Sequence, residues 1–158
     1  MPAWSHLHPA VVHFPIGLLL VVPPLALLGL LWPTQRKGIH ACTLAVLTLG
    51  TGLALLAVVT GMAVPGPLSP SAELQATLES HERMAKVTAL LYVLLSLAFL
   101  GIQGLALHFK SDLGRKPMRI LHLLWLAASL GASLPLVQTG HLGGRMVHEL
   151  GIHGPTRP

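Results

Sequence analysis

HLHPAVVHFPIGLLLVVPPLALLGLLW (residues 6–32) decides the fold. From Pro9 to Trp32 it holds no Asp, Glu, Lys or Arg. A helix needs about 20 apolar residues to cross the hydrocarbon core of a bilayer, and this run supplies them. Three further uncharged runs follow, Ile39–Val64, Val87–Phe109 and Ile120–Thr139. Only 9% of the 158 residues are charged, against roughly 25% in soluble domains. So little charge cannot cover a water-facing surface, and lipid must cover most of it. The expectation is an all-α integral membrane four-helix bundle. Its spans lie near 9–32, 39–64, 82–109 and 118–139, in a single membrane domain over 1–158.

The first run has no positive leading region and no small-residue cleavage pattern, so it reads as a retained span rather than a secretory signal. Cys42 is the only cysteine and no C-x-x-C-H exists, which excludes an intrachain disulfide and covalent c-type haem.

The breaks between spans are short. VPGPLSPS (64–71) is a turn region, with Ser71 placed to cap the helix that AELQATLESHERMAKVT (72–88) begins. Short connections make neighbouring helices antiparallel, in up-down-up-down order. Arg36, Lys37, Lys110, Arg115, Lys116 and Arg119 fall on one side with the single acid Asp112. The other side balances Arg83, Lys86, Arg145 and Arg157 against Glu73, Glu79, Glu82 and Glu149. The positive-inside rule then puts both termini outside. Residues 140–158 are expected to form a glycine-rich outer tail, Gly143–Gly144 arguing against regular helix. The basic balance is a topology signal, and no nucleic-acid partner is expected.

Ten histidines punctuate the chain. By this topology His6, His8, His13, His81, His141, His148 and His153 form an outer layer, and His40, His108 and His122 an inner one. Ionisable groups at membrane depth are costly and mark functional sites, whereas a histidine at a span end often only anchors the interface. His6, His108 and His153 suit that plainer role. On span one, His13, Gly17, Leu20 and Pro24 share a face at helical spacing. On span three, His81, Ala85, Thr88, Tyr92 and Phe99 share one. Span two aligns His40, Leu47, Thr51, Ala54 and Val58, and span four His122, Ser129, Ala132 and Ser133.

Two neutral imidazoles from facing helices hold b-type haem without a covalent link. The expected cofactor is therefore haem b, one or two per chain. The outer axial candidates are His13, His81, His141 and His8, with His13 and His81 paired. The inner candidates are His40 and His122. His122 and His141 lie about 28 Å apart along span four, so two haem layers would cross the membrane. Arg83 and Arg145 outside, or Arg115 and Arg119 inside, suit haem propionates. The alternative is a non-haem site for zinc or copper at His13, His81, His141 and His148, and a third reading is a structural subunit of a larger membrane complex. No H-E-x-x-H motif exists, and no carboxylate within a span serves a transporter.

HPAVVHFPIGLL (8–19), His81-x-x-x-Ala85 and TGHLGGRMVHELGI (139–152) resemble the four-span membrane proteins of domain-of-unknown-function family 2231, over nearly the whole chain. The resemblance implies a bacterial inner-membrane protein and points to His8, His13, His81, His141 and His148. It also implies redox work beside c-type cytochromes. The expected function is an electron-transfer protein or subunit, not a catalyst by itself, between quinone and a periplasmic c-type cytochrome.

Overall fold

The computed structural model describes residues 8, 11–64, 69–108 and 115–152, with Leu107 and Arg115 described by backbone only. His6, His153, Lys110 and Asp112 lie outside the described residues. Four helices account for the rest: α1 (His13–Leu31), α2 (Arg36–Met62), α3 (Ala72–His108) and α4 (Arg115–His148). All four are long and apolar enough to cross a membrane.

Each boundary has a local cause. Pro15 sits in the first turn of α1, where its missing N–H would have no helical partner anyway. Trp32 ends α1, its N–H returning to the Leu28 carbonyl. Ser71 caps α3 through its hydroxyl, which accepts from the Leu74 N–H at 3.2 Å. At the far end, Gly151 adopts a left-handed φ of 69°, and the Ile152 N–H reaches the Met146 carbonyl.

The helices pack as a square. α1 touches α2 and α4, and α3 touches α2 and α4, leaving α1/α3 and α2/α4 as diagonals. Contacts pair the start of each helix with the end of its neighbour: His81 of α3 with Thr139 of α4, His40 of α2 with Gln103 of α3, and Gly29 of α1 with His40. The core runs down the axis through Leu19, Val22, Leu47, Tyr92, Phe99, Trp125 and Leu136.

Outside that core the helices are apolar too. Leu134 is 73% exposed, Phe14 63% and Leu124 62%. No more than a third of any span's most apolar stretch is buried. Such a surface in water would be one continuous apolar patch, and in a bilayer it is the lipid-facing wall. The molecule is a multi-pass membrane protein.

One expected boundary moves. α4 does not stop near Thr139 but continues through Gly140, Gly143 and Gly144 to His148. The glycines are used for close approach rather than for a break. A Cβ on Gly140 would meet Ile16 at 3.2 Å, and one on Gly143 would meet the His81 ring at 3.3 Å.

Candidate functional site

Two imidazole clusters occupy opposite ends of the bundle. At the end that the charge pattern leads one to expect inside, called inner below, the rings of His40 (α2) and His122 (α4) stack with centroids 4.6 Å apart and planes 17° from parallel. Gln103 of α3 bridges them. Its Oε1 accepts from His40 Nδ1 at 3.3 Å, and its Nε2 donates to His122 Nε2 at 3.4 Å. His122 Nδ1 donates to the Met118 carbonyl at 2.7 Å. These bonds assign both tautomers consistently. His40 is 8% exposed and lies against Gly29, where a Cβ would sit 2.9 Å from its ring. Phe99 meets both imidazoles edge-on, at 5.7 Å and 6.4 Å, and rests on Trp125.

This cluster does not fit the expected inner haem. Axial imidazoles aim ring nitrogens at iron from opposite sides of a macrocycle. Rings stacked face to face leave no slot for one, and both His122 nitrogens are hydrogen-bonded within the protein. Diagonal pairing of His40 with His122 was legible from helix phase, but its product is a hydrogen-bonded stack. His108 is exposed at the end of α3.

At the outer end the expected pair changes. His13 is exposed on the outward side of α1, beside Phe14 and above Gly17, which has open space around it. The inward face of α1 is Pro15, Leu19, Val22, Ala26 and Gly29. His8, seven residues before Pro15, packs against α2. A Cβ on Gly61 would lie 3.0 Å from the His8 ring, and His8 Nδ1 bonds Thr60 Oγ1 at 3.2 Å. The Thr60 hydroxyl proton is directed at the Leu56 and Ala57 carbonyls, so Thr60 accepts and His8 Nδ1–H donates. His81 Nδ1 donates to the Thr139 carbonyl at 3.0 Å. Thr139 Oγ1 meets Thr88 Oγ1 at 3.3 Å beneath it.

Both outer imidazoles therefore carry their proton on Nδ1 and keep the Nε2 lone pair. An Nδ1–H bonded to a carbonyl or hydroxyl is how proteins fix the tautomer and aim of a ligating histidine. Burial holds the His8 imidazole below its ordinary pKa, and charge on His81 pushes the same way. The donor set fits a two-histidine axial site.

The remaining candidates do not join it. His141 and His148 are exposed on α4. Among the described residues no three His, Cys, Asp or Glu side chains come together to hold a metal. Zinc sites draw three or four ligands from the protein, so the expected set His13, His81, His141 and His148 is not assembled. Arg145 forms ion pairs with Glu73 and with Glu149. Arg83 and Arg119 are exposed, and Arg115 opens α4. Gln103, Thr60 and the Thr139 carbonyl were not foreseen. Gln103 carried a signal, an amide inside an apolar span; the carbonyl carried none.

No curated protein and no solved structure matches the chain. The pattern defining one family, described as predicted membrane protein (DUF2231), matches residues 5–155. With four membrane-length helices and that match over nearly its whole length, the chain belongs to the DUF2231 family of predicted membrane proteins.

Proposed function

We propose that the protein is a membrane-bound b-type cytochrome, or the haem-carrying subunit of a larger complex, with His8 and His81 as axial ligands at its outer end. One observation carries the reading. His8, ahead of α1, and His81 of α3 each anchor Nδ1–H and leave Nε2 to a ligand, with no third protein ligand assembled among the described residues. Two protein ligands are what iron takes when a porphyrin supplies the other four. Bound haem supplies a one-electron couple. The protein supplies tautomers held by Thr60 and Thr139, a low-dielectric surround, and an apolar wall that keeps the site in the bilayer.

In this reading the chain lies in the bacterial inner membrane with both termini on the periplasmic side. It takes electrons from quinone and passes them to a periplasmic c-type cytochrome. The test is cofactor stoichiometry. Protein purified after expression with haem supply should carry one haem per chain, and His81→Ala should carry none while keeping its helical circular dichroism. Zinc or copper in place of haem would overturn the reading in favour of a bare metal site. Neither haem nor metal would leave a structural subunit.

A further inference from the structure

His40, Gln103 and His122 come together from three helices, and none of them takes part in the proposed haem site. Their hydrogen bonds form a directed chain whose sense is set at one end. The Met118 carbonyl only accepts, so His122 carries its proton on Nδ1 and offers the Nε2 lone pair. The Gln103 amide nitrogen therefore faces His122, and its oxygen faces His40, which donates from Nδ1. These bonds are matched only while both rings are neutral.

No anion stands by to hold an added proton. Arg36 lies one turn before His40 on α2, its Nε donating to the Gly29 carbonyl, and Arg119 lies one turn before His122 on α4. Lys37 and Lys116 sit in the first turns of the same two helices and His108 ends α3, all exposed, as is Cys42. α1 brings Gly29 against His40 and holds no Asp, Glu, Lys or Arg. The described carboxylates, Glu73, Glu79, Glu82 and Glu149, stand at the opposite end.

A first proton has one place that keeps the chain intact. On His122 Nε2 it makes a donor that faces the Gln103 NH2, donor against donor. Turning the amide over restores the match: Oε1 accepts from His122 Nε2–H, and the amide nitrogen donates to His40 Nδ1, whose own proton moves to His40 Nε2. The balance is one proton gained, carried by His122, with His40 neutral in its other tautomer. A second proton finds no partner. The amide now presents N–H to His40, and two charged rings would lie face to face at 4.6 Å.

We propose that this trio is a proton switch, taking up one proton per chain and reversing Gln103 as it does so. His122 is half-buried and His40 buried, so the proton enters on α4 and is read on α2, across the bundle diagonal. The switch follows the acidity of the compartment that this end faces.

The experiment uses the full chain in detergent micelles, labelled with nitrogen-15 at histidine and kept reduced so that any bound haem is diamagnetic. Long-range proton–nitrogen spectra are followed from about pH 8 to about pH 5, which brackets ordinary imidazole titration, with His40→Gln and His122→Gln assigning the signals. At the alkaline end both rings should be neutral with the proton on Nδ1. On acidification His122 should become doubly protonated, and over the same range His40 should pass to the Nε2–H tautomer and stay neutral. In Gln103→Glu the carboxylate accepts from both rings, so His40 should keep its Nδ1 proton throughout. In Gln103→Leu the tautomer of His40 should no longer follow the charge on His122. Two independent protonations in the wild type, a wild-type His40 that stays on Nδ1, or no change in either ring down to the acid end would overturn the proposal. The wild-type titration decides it even where a variant loses its helical circular dichroism.

Discussion

At Gly29 a single hydrogen stands where any other residue would press on His40. The ring cannot yield freely, because His122 covers its face and Gln103 holds its edge. Gly29→Ala should therefore lower the thermal midpoint in detergent, an overpacking cost of about 1–3 kcal/mol. Gly17→Ala, with open space around it, should not. Equal melting curves would contradict the packing at His40. At the same cluster, His40→Ala should leave haem content unchanged but cost stability, because it removes the stack and strips Gln103 of a partner. Haem lost with His40 would restore the inner haem that the stacked geometry argues against. At the outer end, His8→Ala should abolish haem binding and His13→Ala should spare it, measured as haem per chain. The reverse would return the ligand role to His13.

Helices explain which of these residues could be read in advance. Spans two, three and four carry small polar residues among the apolar ones, and those set the phase. Thr51 lies between His40 and Ala54, Thr88 between His81 and Tyr92, and Ser129 follows His122. All these stripes face inward. Span one is apolar all round, so nothing but its histidines and prolines marked a face. His13 suggested one, and packing chose another. The signal was the seven-residue step from Pro15 to Val22 and on to Gly29, all on the inward side. α4 was misjudged for a different reason. Glycine is unfavourable in an isolated helix, but in a membrane bundle it lets neighbours approach closely, as Gly140 does for Ile16 and Gly143 for His81. The Arg145 pairs on the last turn of α4 are largely open to solvent, so Arg145→Gln should cost no more than about 1 kcal/mol in a chemical or thermal melt. A larger loss would mean those pairs hold the end of α4 in place.

For the whole molecule, the bundle and its lipid-facing wall follow from four long uncharged runs, and the sequence sufficed for both. The site did not follow as directly, because it depends on hydrogen bonds to backbone carbonyls such as that of Thr139, which no side-chain pattern announces. The structure separates the two ends chemically. At one end Gln103 and the Met118 carbonyl bond both nitrogens of His122, and the His40 ring stacks on it, whereas at the other end each imidazole is held through Nδ1 alone. Orientation decides which partners reach that outer end. In a Cys42→Ser background, a cysteine at Ser71 should react with a membrane-impermeant maleimide in intact spheroplasts, and one at Lys37 only after lysis. The opposite pattern would invert the chain in the membrane. The central claim is that His8 and His81 hold one haem between them. A reduced-minus-oxidised visible spectrum of the purified wild-type protein tests it most directly, alongside His8→Ala, His81→Ala and His40→Ala. The account predicts the sharp α band of a six-coordinate b-type haem in wild type and His40→Ala, and its loss in the two outer variants. A wild-type spectrum with no α band after expression with haem supply, or a band that survives both outer substitutions, would contradict it.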